Sequence, residues 1–260
     1  MKKPIVIMIA NQKGGVGKTA CSIELCNAFG KKKYKVLGID LDPQNSFSKI
    51  SNADISTEKN LKAVLDVKLL PTDAIQHLKH YDIIPGSEDL AESGLYNKTN
   101  DVWLLEEALE VLKKKTDYDF IILDSAPGRS KLLEMEYIAS DYIIAPTEAD
   151  TEAESGLYKI QKDIIEYSRH NQSHVQFLGV FMNKYKSNSR LHRSMYDNLK
   201  KIEGDIGAKR FETTIRATVK AAEARLVKQS ISEYVKDAGI SEDFEKLVKE
   251  IIKRIKESEK

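Results

Sequence analysis

The chain has 260 residues, of which 41% are hydrophobic and 31% are charged, and its formal net charge is +1. This composition is typical of a soluble globular protein, and the length suits one large α/β domain. No apolar run reaches the roughly 20 residues that a membrane span requires, and the first residues lack the long apolar region of a signal peptide, so a cytoplasmic protein is expected.

Short apolar segments alternate with amphipathic segments along the chain. Continuous apolar strands between helices indicate a parallel sheet that is buried on both faces. The predicted fold is therefore doubly wound α/β, a mostly parallel twisted sheet with helices on both faces, in a single domain over residues 1–260. The predicted strands are residues 4–10, 35–40, 81–86, 119–124, 141–146 and 175–183. A helix is predicted over residues 101–115 from apolar side chains at helical spacing, namely Val102, Leu105, Ala108, Leu109 and Leu112.

The sequence ANQKGGVGKTAC, residues 10–21, follows the first predicted strand and has the character of a phosphate-binding loop. Its glycines let successive N–H groups point inward, and the helix that begins near Lys18 directs its positive end at a phosphate. Lys18 is expected to reach the β- and γ-phosphates, and Thr19 to offer its hydroxyl to Mg²⁺. The loop departs from the usual pattern because Gln12 takes the place of the first glycine and Lys13 is an additional lysine. The predicted nucleotide-binding residues of the loop are Gly14, Gly15, Val16, Gly17, Lys18, Thr19 and Ala20.

Aspartates end two of the predicted strands. Asp40 and Asp42 follow the second strand, and Asp124 ends the apolar segment FIILD. Because the carboxyl ends of parallel strands share one edge of a sheet, these carboxylates are expected to face the loop. Asp42 and Asp124 are predicted to hold Mg²⁺ together with Thr19, whereas Asp40 has a second interpretation as a residue of the strand-end turn.

Charge is segregated along the chain. Residues 133–154 contain seven acidic residues and no basic one, whereas residues 184–228 contain twelve basic and five acidic residues, a local balance of +7. A basic segment within a near-neutral protein is a candidate surface for a polyanion such as DNA, with an ordinary solvated helix face as the alternative. The predicted DNA-binding residues are Arg190, Arg193, Lys209, Arg210, Arg216, Lys220, Arg225 and Lys228.

A C-terminal amphipathic helix is predicted over about residues 241–258, with Ser241 as its N-cap. Residues 241–260 contain six basic and six acidic residues, whereas membrane-surface helices favour a lysine-rich polar face. The helix is therefore expected to pack on the domain. Its apolar stripe consists of Phe244, Leu247, Val248, Ile251, Ile252 and Ile255.

The motifs KGGVGKT, DLDPQ and ILDSAPG together resemble those of the deviant Walker A ATPases, in particular the ParA plasmid and chromosome partition proteins. The segments YDIIPGSEDLAESG and TTIRATVKAAEARLVKQSISEY are also similar to ParA segments, so the resemblance covers nearly the whole chain. The resemblance implies a P-loop NTPase that hydrolyses ATP to ADP and phosphate, depends on Mg²⁺, and is slow and partner-stimulated.

The family also implies roles for particular residues. The lysine that matches Lys13 crosses the interface of an ATP-sandwich homodimer and contacts the phosphates bound to the partner subunit. The aspartate that matches Asp42 orients the attacking water. The implied catalytic residues are therefore Lys13, Lys18 and Asp42, with ATP and Mg²⁺ as cofactors.

The implied partners are DNA and a second protein. The ATP-bound dimer is expected to bind DNA without sequence preference, which associates it with the nucleoid, and to release DNA after hydrolysis. The partner that stimulates hydrolysis is expected to be a centromere-binding or cargo adaptor protein. Because the first strand starts at about Pro4, the N-terminal helix-turn-helix domain of many relatives is expected to be absent.

The chain departs from the family pattern at two positions. Ala20 stands where relatives usually have a hydroxyl that contacts the α-phosphate, and Arg216 lacks the proline that often precedes it in relatives. Asn183 matches asparagines that recognise the adenine edge in related ATPases, and a strand-end cap is the alternative interpretation.

Two related functions are alternatives: a MinD-like membrane-associated positioning ATPase and a ParA-like ATPase that positions a protein cargo. MinD-like chains usually carry glycine where this chain has Gln12, and they would use the terminal helix at the membrane. A nitrogenase-reductase-like electron carrier is excluded, because it needs cluster-binding cysteines well after the loop and the cysteines here are Cys21 and Cys26.

Overall fold

The computed structural model describes residues 3–92, 95–126, 128, 130–150, 152–169, 173–235 and 238–259. Seven strands occur within these residues, and all of them belong to one sheet. The strands are β1 (Ile5–Ile9), β2 (Val36–Asp40), β3 (Gln76–His77), β4 (Asp82–Ile84), β5 (Phe120–Asp124), β6 (Tyr142–Thr147) and β7 (Gln176–Met182).

The strand order is β3-β4-β2-β5-β1-β6-β7, and every pairing except β3 with β4 is parallel. In the register of the central strands, Asp124 at the end of β5 lies opposite both Asp40 of β2 and Ile9 of β1. The carboxyl ends of these three strands therefore meet at one edge, as the sequence predicts. The antiparallel edge strand β3 escapes prediction because it has two residues and neither is apolar.

Helices cover the sheet in the described part of the chain. They are α1 (Lys18–Lys31), α2 (Ser46–Ile50), α3 (Leu61–Leu65), α4 (Leu104–Lys115), α5 (Lys131–Ala139), α6 (Ala153–Arg169), α7 (Arg190–Lys201), α8 (Glu203–Ile206), α9 (Lys220–Leu226), α10 (Ile231–Tyr234) and α11 (Ala238–Ser258). Short 3₁₀ turns occupy Pro71–Ala74, Glu88–Ala91 and Thr99–Trp103. The last of these turns replaces the start of the helix predicted over residues 101–115.

Successive residues of the central strand β1 point to opposite faces of the sheet, so both faces are buried. Ile7 and Ile9 pack with residues of α1 and α11 on one face. Val6 packs with residues of α4 and α5 on the other face, including Leu105 and Leu109 of the predicted amphipathic stripe. The arrangement confirms the predicted fold class.

The last helix, α11, packs against α1, and its apolar stripe lies in the core. Leu247, Val248 and Ile251 are fully buried, so the stripe is not available to a lipid surface in this conformation. Within the described residues, no helix combines the length and the apolar character that crossing a membrane requires. The prediction of Ser241 as N-cap is wrong, because the helix already begins at Ala238 and thereby buries Ile240 in the core.

The end of α3 contains a valine in a strained conformation. Val67 has a φ of 58°, in the left-handed region, and its side chain is 78% exposed. The N–H of Val67 donates to the carbonyl of Val64 and the N–H of Lys68 donates to that of Ala63, a pair of hydrogen bonds that defines a Schellman motif. This position normally carries glycine, because a β-branched side chain clashes with the backbone there.

Val67→Gly is therefore expected to stabilise the protein. Relief of the left-handed strain outweighs the added freedom of the unfolded chain, so the free energy of unfolding should rise by about 1 kcal/mol. The thermal midpoint, measured by circular dichroism, should rise by about 2–4 °C. Leu70→Gly is the control, because Leu70 has a φ of −68° and half of its side chain is exposed. That substitution should lower the midpoint, and an equal fall for Val67→Gly would contradict the assignment of strain.

Candidate functional site

The loop between β1 and α1 has the backbone of a phosphate cradle. Gly15 and Gly17 have φ values of 82° and 87°, which favour glycine, and Gly17 caps the N-terminus of α1. A side chain at position 17 would also lie 2.7 Å from the amide nitrogen of Asn183. The curled backbone and the start of α1 together direct N–H groups at one point, which is the geometry that binds phosphate.

Two residues after β7 brace this loop from behind. The amide nitrogen of Asn183 donates to the carbonyl of Val16 at 2.8 Å, and the Lys184 ammonium donates to the carbonyl of Gly15 at 2.8 Å. Lys184 also forms an ion pair of 2.6 Å with Glu148. The amide nitrogen of Asn183 is therefore engaged by the loop. Lys184 is a site residue that the sequence analysis missed, although its position directly after a strand at the functional edge is a usable signal.

The unusual start of the loop is fastened to the second half of the sheet. The side-chain amide of Gln12 donates to the Asp163 carboxylate of α6 at 2.5 Å. The amide of Asn11 donates to the carbonyl of Pro146 at 2.9 Å, and its oxygen accepts from the N–H of Lys13 at 2.9 Å. Gln12 therefore makes a side-chain contact that glycine at this position lacks.

The additional lysine, Lys13, points away from the loop and forms an ion pair with Asp150 of the β6–α6 connection. The hydrogen bond to Asp150 raises the pKa of Lys13 above its ordinary value. Asp150 belongs to the acidic stretch of the sequence, so an internal carboxylate neutralises this lysine. The contact between Lys13 and Asp150 joins residues 137 positions apart, so no local pattern in the sequence indicates it.

The second lysine of the loop, Lys18, is only 7% exposed. Burial lowers its pKa, and the carboxylates of Asp124 and Asp42 oppose that shift. A buried ammonium gains from any further anion, so a phosphate bound in the cradle would be stabilised by Lys18.

The carboxylates at the strand ends have different environments. Asp40 is fully buried and accepts hydrogen bonds from the N–H and the hydroxyl of Ser48 at 2.8 and 2.6 Å. Asp124 is also fully buried and accepts from the Ser22 hydroxyl at 2.7 Å, but its Oδ2 atom has no hydrogen-bond partner among the described residues. Asp40 therefore shapes the turn that follows β2, whereas Asp124 retains an unused acceptor.

Burial raises the pKa of Asp40 to about 6 and that of Asp124 to about 7. The charge of Asp40 contributes further to the shift of Asp124, while the hydroxyls of Ser22 and Thr19 and the ammonium of Lys18 oppose it. The two carboxylates thus lie in a region where an added cation would be favoured.

The loop opens into a cleft of about 310 Å³, which we call the loop cleft. Of the residues predicted to bind nucleotide or metal, seven line this cleft, whereas Lys13, Val16, Asn183 and Asp124 do not. The seven are Gly14, Gly15, Gly17, Lys18, Thr19, Ala20 and Asp42. Arg225, predicted from charge as a DNA-binding residue, also lines this cleft from α9.

The other predicted DNA-binding residues are not equivalent. Arg190, Arg193, Lys209 and Lys228 are exposed, as is Lys220, which pairs with Glu223. The Arg210 side chain is only 10% exposed, and its guanidinium stacks on the Tyr196 ring at 3.7 Å. Arg216 forms two hydrogen bonds, of 2.7 and 2.8 Å, with the buried Asp243. Arg210 therefore serves packing, and the half-exposed Arg216 is held by an ion pair with Asp243, which the count of charges along the chain does not reveal.

A buried glutamate on α5 lies near the cleft, and the sequence analysis did not identify it. Glu136 is 1% exposed and accepts a hydrogen bond from the Ser125 hydroxyl, directly after Asp124. Burial raises its pKa to about 8, the charge of Asp124 adds to the shift, and the Ser125 hydroxyl opposes it. The available signal is a charged residue among the apolar neighbours of the segment MEYIA.

Glu136→Gln is expected to make stability less dependent on pH. Glu136 takes up a proton on folding, so its stabilisation is complete below its unfolded pKa of about 4 and is lost as the pH rises. The loss continues to about pH 8, the pKa of the folded state. For one proton, the free energy of unfolding falls by at most about 1.4 kcal/mol per pH unit. Urea unfolding at pH 6 and pH 8.5 measures this slope, with the partly exposed Glu134→Gln as control. Parallel curves for wild type and Glu136→Gln would contradict the prediction.

Comparison with known proteins agrees with this geometry. Residues 4–177 match a family profile described as an AAA domain. The chromosome partitioning protein ParA of Caulobacter vibrioides is 26% identical over 256 residues, which cover 96% of this chain and 94% of that protein.

Solved structures are similar over the same extent. McdA of Cyanothece in complex with ATP has a TM-score of 0.83 at 21% identity, with 97% of both chains covered, and it shows the fold. A plasmid partition protein of Borrelia burgdorferi has a TM-score of 0.72 at 27% identity, with 94% of this chain and 99% of that chain covered. The chain therefore belongs to the ParA family of P-loop ATPases.

Proposed function

We propose that this ATPase acts as a Mg²⁺-dependent switch in DNA partition, in which an ATP-bound homodimer binds DNA without sequence preference and hydrolysis releases it. The observation that carries the proposal is the position of Lys13. This lysine belongs to the phosphate-binding loop, but it is not among the residues that line the loop cleft and it pairs with a partly exposed aspartate instead. It is therefore suited to phosphates bound by another copy of the chain.

Within one cleft, hydrolysis requires few protein groups, because phosphoryl transfer is catalysed mainly by positioning and charge compensation. The loop N–H groups and Lys18 bind the phosphates. Asp42 lines the same cleft and orients the attacking water. A single carboxylate that positions water suits a slow reaction that a partner accelerates.

The residues present fit a Mg²⁺ ion. The unpartnered Oδ2 of Asp124, the hydroxyl of Thr19 and the carboxylate of Asp42 are the oxygen ligands that this ion prefers. The described residues contain no cluster of three or more His, Cys, Asp or Glu side chains that could hold a metal. Mg²⁺ is usually held by one or two carboxylates together with substrate phosphates and water, and Thr19, Asp42 and Asp124 would supply the protein ligands. When bound, the ion neutralises charge between the β- and γ-phosphates.

Dimerisation follows from an exchange of ion partners by Lys13. In the single chain its ammonium is paired with Asp150. Two ATP molecules at an interface between two copies carry concentrated negative charge, and one Lys13 from each copy compensates it. Loss of the γ-phosphate weakens this compensation, so hydrolysis favours return to Asp150 and separation of the copies.

Lys13→Ala is expected to abolish ATP-dependent dimers while ATP binding by the monomer stays measurable, because Lys18 and the loop N–H groups remain. Light scattering with ATP and Mg²⁺ measures the dimer, and titration with a fluorescent ATP analogue measures the monomer. Lys35→Ala is the matched control, since Lys35 also pairs with an aspartate, Asp117, but precedes the amino end of β2, at the edge of the sheet opposite the loop. Dimers of unchanged stability in Lys13→Ala would disprove the proposed role.

The proposed DNA surface consists of exposed basic residues of the 184–228 segment that form no ion pair among the described residues, although Arg193 also donates to the carbonyl of Ser187 at 2.6 Å. Arg190 and Arg193 lie on the first turn of α7, with Lys209 and Lys228 further along the chain. Two copies double the number of cations that face DNA, which makes binding depend on the dimer and therefore on ATP.

DNA binding is expected to fall steeply with salt. If each dimer neutralises about six phosphates, the logarithm of affinity should fall against the logarithm of salt concentration with a slope near −5. The double substitution Arg190→Glu and Arg193→Glu should weaken DNA binding by the same factor for unrelated DNA sequences. It should also make the dependence of affinity on salt concentration shallower. Filter binding with ATP, ADP and no nucleotide measures both effects, with the exposed Lys249→Glu on α11 as control. A slope near zero in the wild type would remove DNA from the proposal.

The cargo is proposed from the relatives. The similar Caulobacter and Borrelia proteins are described as chromosome and plasmid partition proteins, which supports a DNA cargo and a location on the nucleoid in the ATP state. A centromere-binding or cargo adaptor protein would stimulate hydrolysis. Co-sedimentation of the ATP-bound chain with isolated nucleoids tests the location directly.

A further inference from the structure

Helix α9 presents one face to the loop cleft. Ala221 and Arg225, four residues apart on this helix, both line the cleft, and Gln229 follows them after the helix ends. Residues at this spacing share one side of a helix. Helix α9 therefore orients Arg225 towards the cleft, although the basic composition of the region predicts that this residue binds DNA.

The Arg225 guanidinium has no partner among the described residues, while its neighbours do. Glu223 is the nearest acidic residue along α9, and it already accepts from Lys220 at 2.8 Å and from the Tyr234 hydroxyl at 3.0 Å. Neither an ion pair nor a side-chain hydrogen bond is formed by Arg225 within the described chain. An unpaired arginine on the wall of a cleft is available to an anion that enters it.

The end of α9 is held in place. The N–H groups of Lys228 and Gln229 donate to the carbonyls of Arg225 and Ala224, and Lys228 has a φ of 53°. The side-chain amide of Asn52 donates to the carbonyl of Lys228 at 3.2 Å, which ties this end to the segment after α2. The helix thus presents Arg225 from a fixed backbone.

The cleft has two cationic side chains among the described residues that line it, Lys18 and Arg225. Lys18 lies at the loop, and Ile23, Ile50 and Ile231 also line the cleft. In the proposed site Lys18 and Thr19 serve the β- and γ-phosphates and Mg²⁺, and the next residue of α1, Ala20, offers only a methyl group. Ala20 therefore supplies no side-chain donor to the remaining phosphate, which is the one nearest the nucleoside.

We propose that Arg225 binds the α-phosphate of the nucleotide and is a binding residue of the loop cleft rather than a DNA contact. A guanidinium donates two parallel hydrogen bonds to phosphate, which compensates for the missing donor at position 20. The inference rests on nucleotide binding by the cleft, and it adds a ligand-binding role for α9.

Arg225→Ala should weaken binding of a fluorescent ADP analogue and of its ATP counterpart by the same factor, about ten-fold, because the α-phosphate is common to both. The titration uses the full chain with Mg²⁺ and without DNA, so it does not depend on dimers or on the DNA surface. Leu226→Ala is the matched control, since Leu226 follows on the same helix, is 85% exposed and does not line the cleft. Its affinity should stay at the wild-type value.

A double-mutant cycle with Ala20→Ser identifies the phosphate involved. A new hydroxyl at position 20 should improve affinity more in the Arg225→Ala background than in the wild type, because only there is the phosphate without a side-chain donor. Equal gains in the two backgrounds, or unchanged affinity in Arg225→Ala, would overturn the inference. If Arg225→Ala lost DNA binding but kept its affinity for ADP, Arg225 would be a DNA contact and the inference would be overturned. Failure of the wild type to bind ADP would instead refute nucleotide binding by the cleft.

Discussion

The parallel register of β1, β2 and β5 is the constraint on which the site depends. It brings the end of β1, where the phosphate-binding loop begins, level with Asp124 and brings Asp124 level with Asp40. Two carboxylates at adjacent strand ends are then buried together, and burial raises the pKa of both. Ser48 donates hydrogen bonds to Asp40, whereas Asp124 keeps one oxygen without a partner among the residues that the structure describes. The fold therefore places two buried carboxylates, which favour a bound cation, beside a loop that favours a bound anion.

Ion pairs within the chain organise the same loop from the opposite side. The acidic connection between β6 and α6 provides Asp150 for Lys13 and Glu148 for Lys184, which in turn holds the carbonyl of Gly15. These carboxylates neutralise lysines at the back of the loop, and phosphates would do so at its front. In the proposed switch, Asp150 would pair with Lys13 whenever no phosphate of a second copy is bound.

The basic segment shows how differently similar side chains are used. Arg210 stacks on an aromatic ring, Arg216 binds a buried carboxylate, and Arg225 faces the loop cleft. Arg190 and Arg193 remain exposed on α7. The local excess of positive charge thus divides among internal contacts, the wall of the cleft and the exposed surface of α7.

The sequence by itself determined the alternation of strands and helices, the phosphate-binding loop and the strand-end carboxylates. These features depend on local patterns, namely continuous apolar strands, the spacing of Gly14, Gly15 and Gly17, and an aspartate after an apolar run. Only the tertiary structure decided which side chains meet. The contacts of Lys13 with Asp150 and of Asn183 with the loop join distant residues. These contacts, the burial of Glu136 and the position of Arg225 at the cleft depend on how helices and loops pack on the sheet. Residue type and spacing do not predict that packing, because the same arginine in the same local sequence can face solvent, an aromatic ring or a ligand cleft.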